Sequence, residues 1–425
     1  MRNSLIWSGS ACGRERSKPV LRRLIGYAEK IFDLGEVLGA VSDQRLRPRI
    51  PTAALLQSVL VLYWARLGSL NALEAVRGAS FWKRWLGQEL ASADTVGRVH
   101  AQLENAGLRR GLQQVYGRLK RNKALRGVGE WDVAVLDGHE NHASYRRHCR
   151  GCLQRTVRTE QGEKVQFYHR QVTLLLRCEK MRLLLDVEAQ LPGENEVTTA
   201  LRLLERVLPA YPRAFQLLLA DALYAQAPFL NFLIGHGKQV LLVLKEERRD
   251  LYKDVLGLLP LVAPQKGQYR SRDCLWWDVS DLTSWSNVSV PVRVVRSEET
   301  YQVRRQSDQQ MSQEKSEWMW VTTLPAARAS TALVVHLGHA RWDIENYGFN
   351  ELVNGWHADH IYKHDPQAIE AFTLLAFLAY NLFHAFLARN IKAQLRRAQT
   401  ESFWAQLIAA QIYSEAGRHL TARSP

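Results

Sequence analysis

The sequence is poor in cysteine and shows no apolar leader. It contains five Cys among 425 residues, an odd number without the regular spacing of a disulfide framework. A small disulfide-stapled secreted fold is therefore excluded, and we expect a reducing, cytoplasmic location. The first eighteen residues, MRNSLIWSGSACGRERSK, lack the long apolar stretch of a secretory signal.

Long uninterrupted apolar runs and internal repeats are also missing. The most apolar stretch, AFTLLAFLAYNLFHAFLARN, is interrupted by Asn381 and His384. Polar side chains at mid-run suit a helix buried in a globular core better than a membrane span. We therefore predict a buried helix here and no membrane partner.

Acidic residues are outnumbered, and unevenly so. The net charge is +15 with a pI of about 9.7, and residues 1–130 hold 22 Lys and Arg against 10 Asp and Glu. A basic N-terminal part joined to a nearly neutral remainder predicts a polyanionic partner and an N-terminal DNA-binding module. A solvated basic surface is the alternative. Short helices broken at Gly68, Gly78 and Gly87 suit a helix-turn-helix-like fold, although small helical bundles share this pattern.

Periodicity divides the chain into five predicted parts. The N-terminal part of the chain has helical patterns throughout. Three strands in sequence follow, and after them a helix–strand–helix–strand pattern. Short strands come next, and the C-terminal part is helical. We predict an α/β fold, a mixed sheet flanked by helices, with an all-α N-terminal DNA-binding region and a β-rich insertion. The predicted boundaries are a loose basic tail (1–20), a helical DNA-binding domain (21–129), the first part of the core (130–246), the insertion (247–329) and completion of the core with C-terminal helices (330–425).

Three acidic residues stand where a metal site would need them. Asp137 ends the apolar run WDVAVLD, Asp221 ends FQLLLAD, and Glu345 lies in the helical segment RWDIENYGFNELVNGW. A carboxylate at the C-terminal tip of a buried strand points into a crevice, where it can hold a hard cation. Taken singly, each Asp could equally be a turn or helix-cap residue.

The third acidic position has a competitor. Asp343 and Glu345 are two residues apart, so on a helix they point in nearly opposite directions and only one can face the metal. Arg341 lies four residues before Glu345 and shares its face. This arginine could hold a phosphate beside the metal, or it could form an ordinary i,i+4 ion pair.

The order of these motifs resembles bacterial insertion-sequence transposases of the DDE type. The similar segments are LDGHE, LLADALYAQAPFLNFL, KQVLLVLK, the β-rich insertion and RWDIENYGF, within about residues 132–389. The chain departs from one branch of this family, which often has Tyr and Lys where Gly338 and Leu352 stand.

The resemblance implies an RNase H-like core whose β-strand insertion precedes the catalytic Glu. It implies Asp137, Asp221 and Glu345 as catalytic residues that hold two Mg²⁺ ions, with Mn²⁺ as a substitute. It also implies cleavage and strand transfer of double-stranded DNA at terminal inverted repeats. The protein would act as a homodimer or larger assembly, cytoplasmic and nucleoid-associated when bound. The choice of Glu345 over Asp343 rests on the family.

A second group of residues suggests a metal or a DNA surface. Cys149 and Cys152 form a C-x-x-C motif with His142 and His148 nearby, so a structural Zn²⁺ is one interpretation and free thiols are the other. The surrounding arginines are predicted to contact DNA phosphates: Arg146, Arg147, Arg150, Arg155 and Arg158.

For two further features we favour a purely structural interpretation. His357, His360 and His364 fall in WHADHIYKHDP, which reads as a polar connection between helices, although a second metal site or a DNA-facing loop is conceivable. Most tryptophans of the insertion should fill the core. In related transposases an aromatic residue of the insertion can stack on a flipped base, but the sequence does not identify one here.

Three other functions stay open at this point. An RNase H-like nuclease without strand transfer would carry the same triad. A decayed or domesticated copy would act only as a DNA-binding protein and would normally have lost a carboxylate. A metal-dependent hydrolase of small molecules fits poorly with the basic front of the chain.

Overall fold

A computed structural model describes residues 19–160, 162–245, 249–304 and 310–421. Most of the predicted N-terminal tail (1–20) and part of the polar stretch 306–315 lie outside these residues. The fold is reported below for the described ranges.

The N-terminal third is helical, as predicted. The helix α3 begins directly after Pro51, and the Ser92 side chain caps α6 by accepting a hydrogen bond from the Thr95 N–H at 3.3 Å. The elements are α1 (Val20–Phe32), α2 (Leu34–Gly39), α3 (Thr52–Trp64), α4 (Leu70–Ala75), α5 (Ser80–Leu86), α6 (Ala93–His100) and α7 (Asn105–Arg121).

The central part alternates strands and helices. It comprises β1 (Val133–Ser144), β2 (Leu153–Thr159), β3 (Gly162–Arg177), β4 (Arg182–Ala189), α8 (Glu196–Ala210), β5 (Leu217–Ala220), α9 (Ala227–Gly235) and β6 (Gln239–Val243). The core strands lie in the order β4–β3–β1–β5–β6. β3 is antiparallel to β1 and β4, whereas β5 and β6 run parallel to β1. The predicted mixed sheet flanked by helices is confirmed.

Two strands differ from the prediction. β1 does not end at Asp137 but continues to Ser144, and β2 occupies part of the arginine-rich segment that we expected to be a loop. Both additions are polar and pair with β3. An apolar pattern reveals only strand residues whose apolar side chains are buried, so these polar extensions gave no signal.

The insertion extends the core sheet. It contains α10 (Arg249–Leu258), β7 (Gln265–Tyr269), β8 (Arg272–Leu282), β9 (Val292–Arg304) and β10 (Met311–Thr322). β10 pairs antiparallel with β6, where Trp320 lies opposite Val243. The sheet therefore continues from β6 through β10, β9, β8 and β7. The predicted β-rich character of this segment is confirmed.

The C-terminal part is helical. It comprises α11 (Thr331–Ala340), a π-helical turn (Glu345–Phe349), α12 (Asn350–Trp356), α13 (Pro366–Asn390), α14 (Ala393–Ala398) and α15 (Glu401–Thr421). α13 is long and apolar enough to cross a membrane, but 89% of its most apolar window is buried inside the fold. Burial in the core therefore accounts for its composition.

Asn381, a polar residue within the apolar helix α13, is paired with the backbone of β4. Its side-chain Oδ1 accepts a hydrogen bond from the Leu184 N–H at 2.9 Å, and its Nδ2 donates to the Leu184 carbonyl at 2.8 Å. Leu184 belongs to β4, beside an irregularity in its pairing with β3. The amide thus satisfies both backbone groups of one strand residue inside an apolar core.

The N-terminal helices also pack on α13. The Tyr63 hydroxyl donates to the Phe372 carbonyl, and the Trp64 indole N–H donates to the Ala379 carbonyl, both at 3.0 Å. A continuous set of buried apolar residues links these helices to the sheet. The functional boundary near residue 129 stays a prediction, because packing is continuous across it.

Candidate active site

Strand register places Asp137 beside Asp221. β1 and β5 are parallel neighbours, with Val135 opposite Leu219. Two residues further along each strand stand the two aspartates, so they occupy the same level of adjacent strands, which lie about 4.8 Å apart. The register therefore brings the two carboxylates close together.

Asp221 also caps a turn. One of its carboxylate oxygens accepts a hydrogen bond from the Leu223 N–H at 2.8 Å, at the start of a 3₁₀ turn (Ala222–Tyr224). The capping alternative is therefore true in part. The cap fixes the orientation of the carboxyl group while leaving its other oxygen available at the edge of the sheet.

Glu345 reaches the same region through Arg341. The Arg341 Nη1 lies 2.8 Å from Glu345 Oε1 and 3.3 Å from Asp137 Oδ2. Arg341 is only 7% exposed, so its guanidinium is held between the two carboxylates. Glu345 begins the π-helical turn, a local irregularity that often occurs at functional sites.

Asp343 points elsewhere. Its Oδ2 accepts hydrogen bonds from Arg177 at 2.7 Å and Arg182 at 3.1 Å, both on the far side of the helical segment from Glu345. These two arginines satisfy the Asp343 carboxylate in a largely buried ion pair. Asp343 is thus engaged in an ion pair with Arg177 and Arg182, whereas Glu345 contacts Arg341, and Glu345 stays the predicted third ligand.

Electrostatics distinguish Asp137 from an ordinary surface carboxylate. Burial raises the pKa of Asp137 to about 7; the Arg341 guanidinium opposes this shift, and the nearby Asp221 carboxylate adds to it. A buried carboxylate beside a second one needs a cation to ionise fully. Its hard oxygen donors fit a divalent cation of the Mg²⁺ class.

A fourth acidic residue, missed in the sequence, supports the site. Glu196, the first residue of α8, is buried and accepts a hydrogen bond from the Tyr224 hydroxyl at 2.7 Å. Its second oxygen lies 2.6 Å from the Arg170 Nη2. A Cβ at Gly138 would overlap the Glu196 carboxyl group, so a larger residue directly after Asp137 would displace this carboxyl group. The available signals in the sequence were Gly138, directly after Asp137, and Tyr224, three residues after Asp221.

Comparison with known protein families agrees with this geometry. Residues 136–382, more than half of the chain, match the transposase DDE domain. The chain belongs to the DDE transposase family. The match spans all three acidic residues and the insertion between the second and third. A search of curated proteins gives no significant match.

Gly338 is a point of close contact between α11 and the insertion. A Cβ at this position of α11 would overlap the Trp320 indole, which comes from β10 of the insertion. Trp320 is fully buried and stacks parallel to Trp318, with ring centroids 6.1 Å apart. The Trp320 side chain of the insertion therefore fills the space next to Gly338. Leu352, at the second departure, is a buried core residue of α12.

The transposase displays most of the predicted DNA-contacting arginines on its surface. Arg146, Arg147 and Arg150 are exposed between β1 and β2. Arg155 forms a bidentate ion pair with Glu140 on β1, and Arg158 lies 3.3 Å from Glu163. These two arginines are exposed but already paired, whereas Arg341 is inside the carboxylate cluster. Their contacts with DNA stay a prediction.

The transposase gathers a second cluster that the sequence had only half identified. Cys149 and Cys152 lie together as predicted, but the imidazoles beside them are those of His169 and His364. His148 instead stacks on Phe167, and His142 is exposed at a β-bulge. The predicted set of Cys149, Cys152, His142 and His148 must be corrected, because the ring of His148 is engaged with Phe167 and His142 is exposed, whereas His169 and His364 reach the thiols.

His364 also corrects the interpretation of the segment WHADHIYKHDP. We favoured a simple polar connection, and this holds for most of the segment between α12 and α13. His364, however, lies with its Nε2 3.3 Å from the Cys152 Sγ. Burial lowers the pKa of His169 to about 4, so its ring is neutral near pH 7. The Cys/His cluster is compatible with a structural zinc ion.

Proposed function

We propose that this transposase binds the terminal inverted repeats of its insertion sequence and performs Mg²⁺-dependent DNA cleavage and strand transfer. The observation that carries the proposal is the meeting of Asp137 and Asp221 on parallel strands with Glu345 linked through Arg341. The family implies a DNA substrate and divalent-metal chemistry. The metal identity, the end specificity and the strand transfer are the proposed additions.

The three carboxylates supply oxygen ligands on one side of an accessible edge. Divalent ions bound there would stabilise charge on phosphate oxygens and activate a water or a 3′-hydroxyl. Asp221 is held by its own turn, and Asp137 by the β1–β3 pairing. The Glu196 carboxyl group accepts a hydrogen bond from Tyr224 and packs against Gly138, so we regard Glu196 and Tyr224 as positioning residues. Such bracing keeps the carboxylates in place as the substrate binds.

Arg341 has a proposed role at the scissile phosphate. Its guanidinium is buried and contacts both Asp137 and Glu345, so a small rotation can direct it toward a phosphate oxygen next to these groups. A planar guanidinium binds phosphate in a bidentate manner that lysine does not reproduce. Loss of Arg341 should therefore reduce cleavage more than DNA binding.

The proposed DNA path runs along the exposed arginines and the basic N-terminal helices. Arg146, Arg147 and Arg150 follow the end of β1 at Ser144, seven residues beyond Asp137, so they extend the proposed path along this strand away from the carboxylates. The net positive charge of the first 130 residues also supports contacts with DNA. We propose that two or more copies assemble on the paired element ends.

The first experiment is strand cleavage of DNA that carries the element ends, in Mg²⁺ or Mn²⁺. Wild type should nick the ends, and Asp221→Ala should bind DNA without nicking it. The matched control is Asp343→Asn, which changes an acidic residue of the same motif that faces away from the site. Its cleavage should persist, with folding of each variant checked by thermal unfolding.

The other functions predict different outcomes. Cleavage that survives in Asp221→Ala would overturn the proposed triad. Nicking without joining to a target would favour a nuclease that lacks strand transfer. Binding of DNA without cleavage by wild type would indicate a decayed copy. Affinity for DNA that is insensitive to salt would contradict the electrostatic part of the proposal.

A further inference from the structure

Four ligand-type side chains from three separate segments meet away from the carboxylate site. Cys149 and Cys152 follow β1, His169 lies on β3, and His364 directly precedes α13. Their ligand atoms all lie within 4.8 Å of one another. Cys152 and His169 are buried, while Cys149 and His364 are partly buried. The transposase chemistry described above uses none of them.

The distances within the cluster match a tetrahedral zinc site. The two Sγ atoms are 3.7 Å apart; the His169 Nε2 lies 3.4 Å from Cys149 Sγ and 3.3 Å from Cys152 Sγ, and the His364 Nε2 lies 3.3 Å from Cys152 Sγ. Zinc–sulfur bonds of about 2.3 Å and zinc–nitrogen bonds of about 2.0 Å in a tetrahedron separate two sulfurs by about 3.8 Å, and sulfur from nitrogen by about 3.6 Å. The four groups therefore surround a space of the right size.

The local backbone holds the two thiols in a tight turn. The Cys152 N–H donates to the Cys149 carbonyl at 3.1 Å, and the Cys149 N–H donates to the Cys152 Sγ at 3.2 Å. Gly151 packs closely against Pro366 at the start of α13, where a Cβ would come within 3.0 Å of the proline ring. Glycine at this position lets the turn approach the segment that supplies His364.

A disulfide explains the cluster less well. The sulfur–sulfur distance of 3.7 Å is far beyond the bond length of about 2.05 Å. A redox pair would also leave two histidines converging on the same point without a reason. Two thiols with two imidazole Nε2 atoms form a Cys₂His₂ donor set, which is typical of structural zinc.

We propose that Cys149, Cys152, His169 and His364 bind one structural Zn²⁺ ion. Binding converts the two thiols to thiolates with release of two protons, and no electron is transferred. All four positions of a tetrahedron are taken by protein, so the ion has no open position for a substrate. The site is distinct from the carboxylate cluster in ligands and in role.

The proposed ion joins parts of the chain that are remote in sequence. Cys152 and His364 are 212 residues apart, so the ion closes a long loop between the β1–β2 connection and the start of α13. His169 lies opposite Asn141 on β1, four residues along the strand from Asp137. The ion thereby anchors the exposed segment with Arg146, Arg147 and Arg150 to the core beside the proposed DNA path.

The first test is the metal content of the full-length protein. Wild type reconstituted with Zn²⁺ and dialysed against metal-free buffer should retain about one Zn²⁺ per chain. Co²⁺ in its place should show the visible absorption of a tetrahedral thiolate-bound ion. Retention of less than about a tenth of an equivalent, or a cobalt spectrum of octahedral type, would overturn the proposal.

Variants locate the ion. His364→Ala should bind zinc far more weakly, whereas His364→Cys should restore one equivalent as a Cys₃His set. Cys274→Ser is the matched control, since Cys274 is a buried thiol in the insertion, and it should keep one equivalent. Equal zinc content in His364→Ala and wild type would refute this ligand set. Asp221→Ala should also keep its zinc, so failure of the proposed cleavage function would not affect this result.

Discussion

The transposase contains two clusters of metal-ligand side chains that differ in almost every respect. The carboxylate cluster brings oxygen donors from adjacent parallel strands and one helical turn, and a buried arginine balances their charge. The Cys/His cluster brings sulfur and nitrogen donors from three remote segments into a closed set of four. The second arrangement is a complete set of four ligands, whereas the three carboxylates of the first would leave positions on a bound metal ion open. Donor type and openness together separate a catalytic from a structural metal site.

The largest expected effect separates the two clusters by activity. Glu345→Gln keeps the size of the side chain but removes its charge, and we expect cleavage of the element ends to fall by at least about a thousandfold, since a metal ligand contributes several kcal/mol to charge stabilisation. Single-turnover cleavage measures the effect, and zinc content should not change. Near-normal cleavage by this variant, with loss in Asp343→Asn, would reassign the third ligand.

The second effect separates them by stability. Stripping zinc with a chelator should lower the free energy of unfolding by about 4 kcal/mol, if zinc was present at about a thousand times its dissociation constant. Denaturant unfolding with and without chelator checks this value. The double variant Cys149→Ser/Cys152→Ser should show no response to the chelator. A similar response in wild type and in this variant would place the stabilising ion elsewhere.

The third effect concerns α13, the helix that follows His364 of the Cys/His cluster. Asn381→Leu removes both hydrogen bonds to Leu184 and leaves two buried backbone groups unpaired. We expect a loss of about 2–4 kcal/mol in the free energy of unfolding. Asn390→Ala, at the exposed end of the same helix, should change stability by less than about 0.5 kcal/mol. Equal losses in the two variants would mean that the amide pairing is not what stabilises α13.

The smallest effect is a pH dependence confined to the carboxylate cluster. The pKa of Asp137 is about 7 in the folded protein, above its ordinary value of 3.8. The folded state thus holds a proton here between about pH 4 and pH 7, and stability from this group is lost as the pH rises through that range. Mg²⁺ displaces the proton, so stabilisation by Mg²⁺ should increase with pH up to about 7, by at most about 1.4 kcal/mol per pH unit.

Thermal unfolding with and without Mg²⁺ at about pH 5.5 and about pH 8 measures this dependence. The control is Asp137→Asn, which has no proton to exchange and should show little Mg²⁺ stabilisation at either pH. Stabilisation of wild type by Mg²⁺ that is larger at the lower pH would contradict the role of Asp137.

Local patterns in the sequence anticipated much of the fold, and they identified two of the four members of the Cys/His cluster. The apolar runs before Asp137 and Asp221 predicted strands, and the structure shows that these strands, β1 and β5, are neighbours in the sheet. The same criterion could not reveal β2 or the end of β1, because these polar strand residues carry no apolar signal. The choice between Asp343 and Glu345 came from family resemblance, since helical spacing alone shows only that the two diverge.

The sequence by itself determined the donor types, the aspartates that follow the apolar runs and the C-x-x-C turn, because these depend on residues within one strand or one turn. Tertiary structure decided which histidines join Cys149 and Cys152, and it placed Glu196 behind Gly138. It also filled the space over Gly338 with Trp320. These contacts connect segments remote along the chain, and only the packing of sheet and helices brings such segments together.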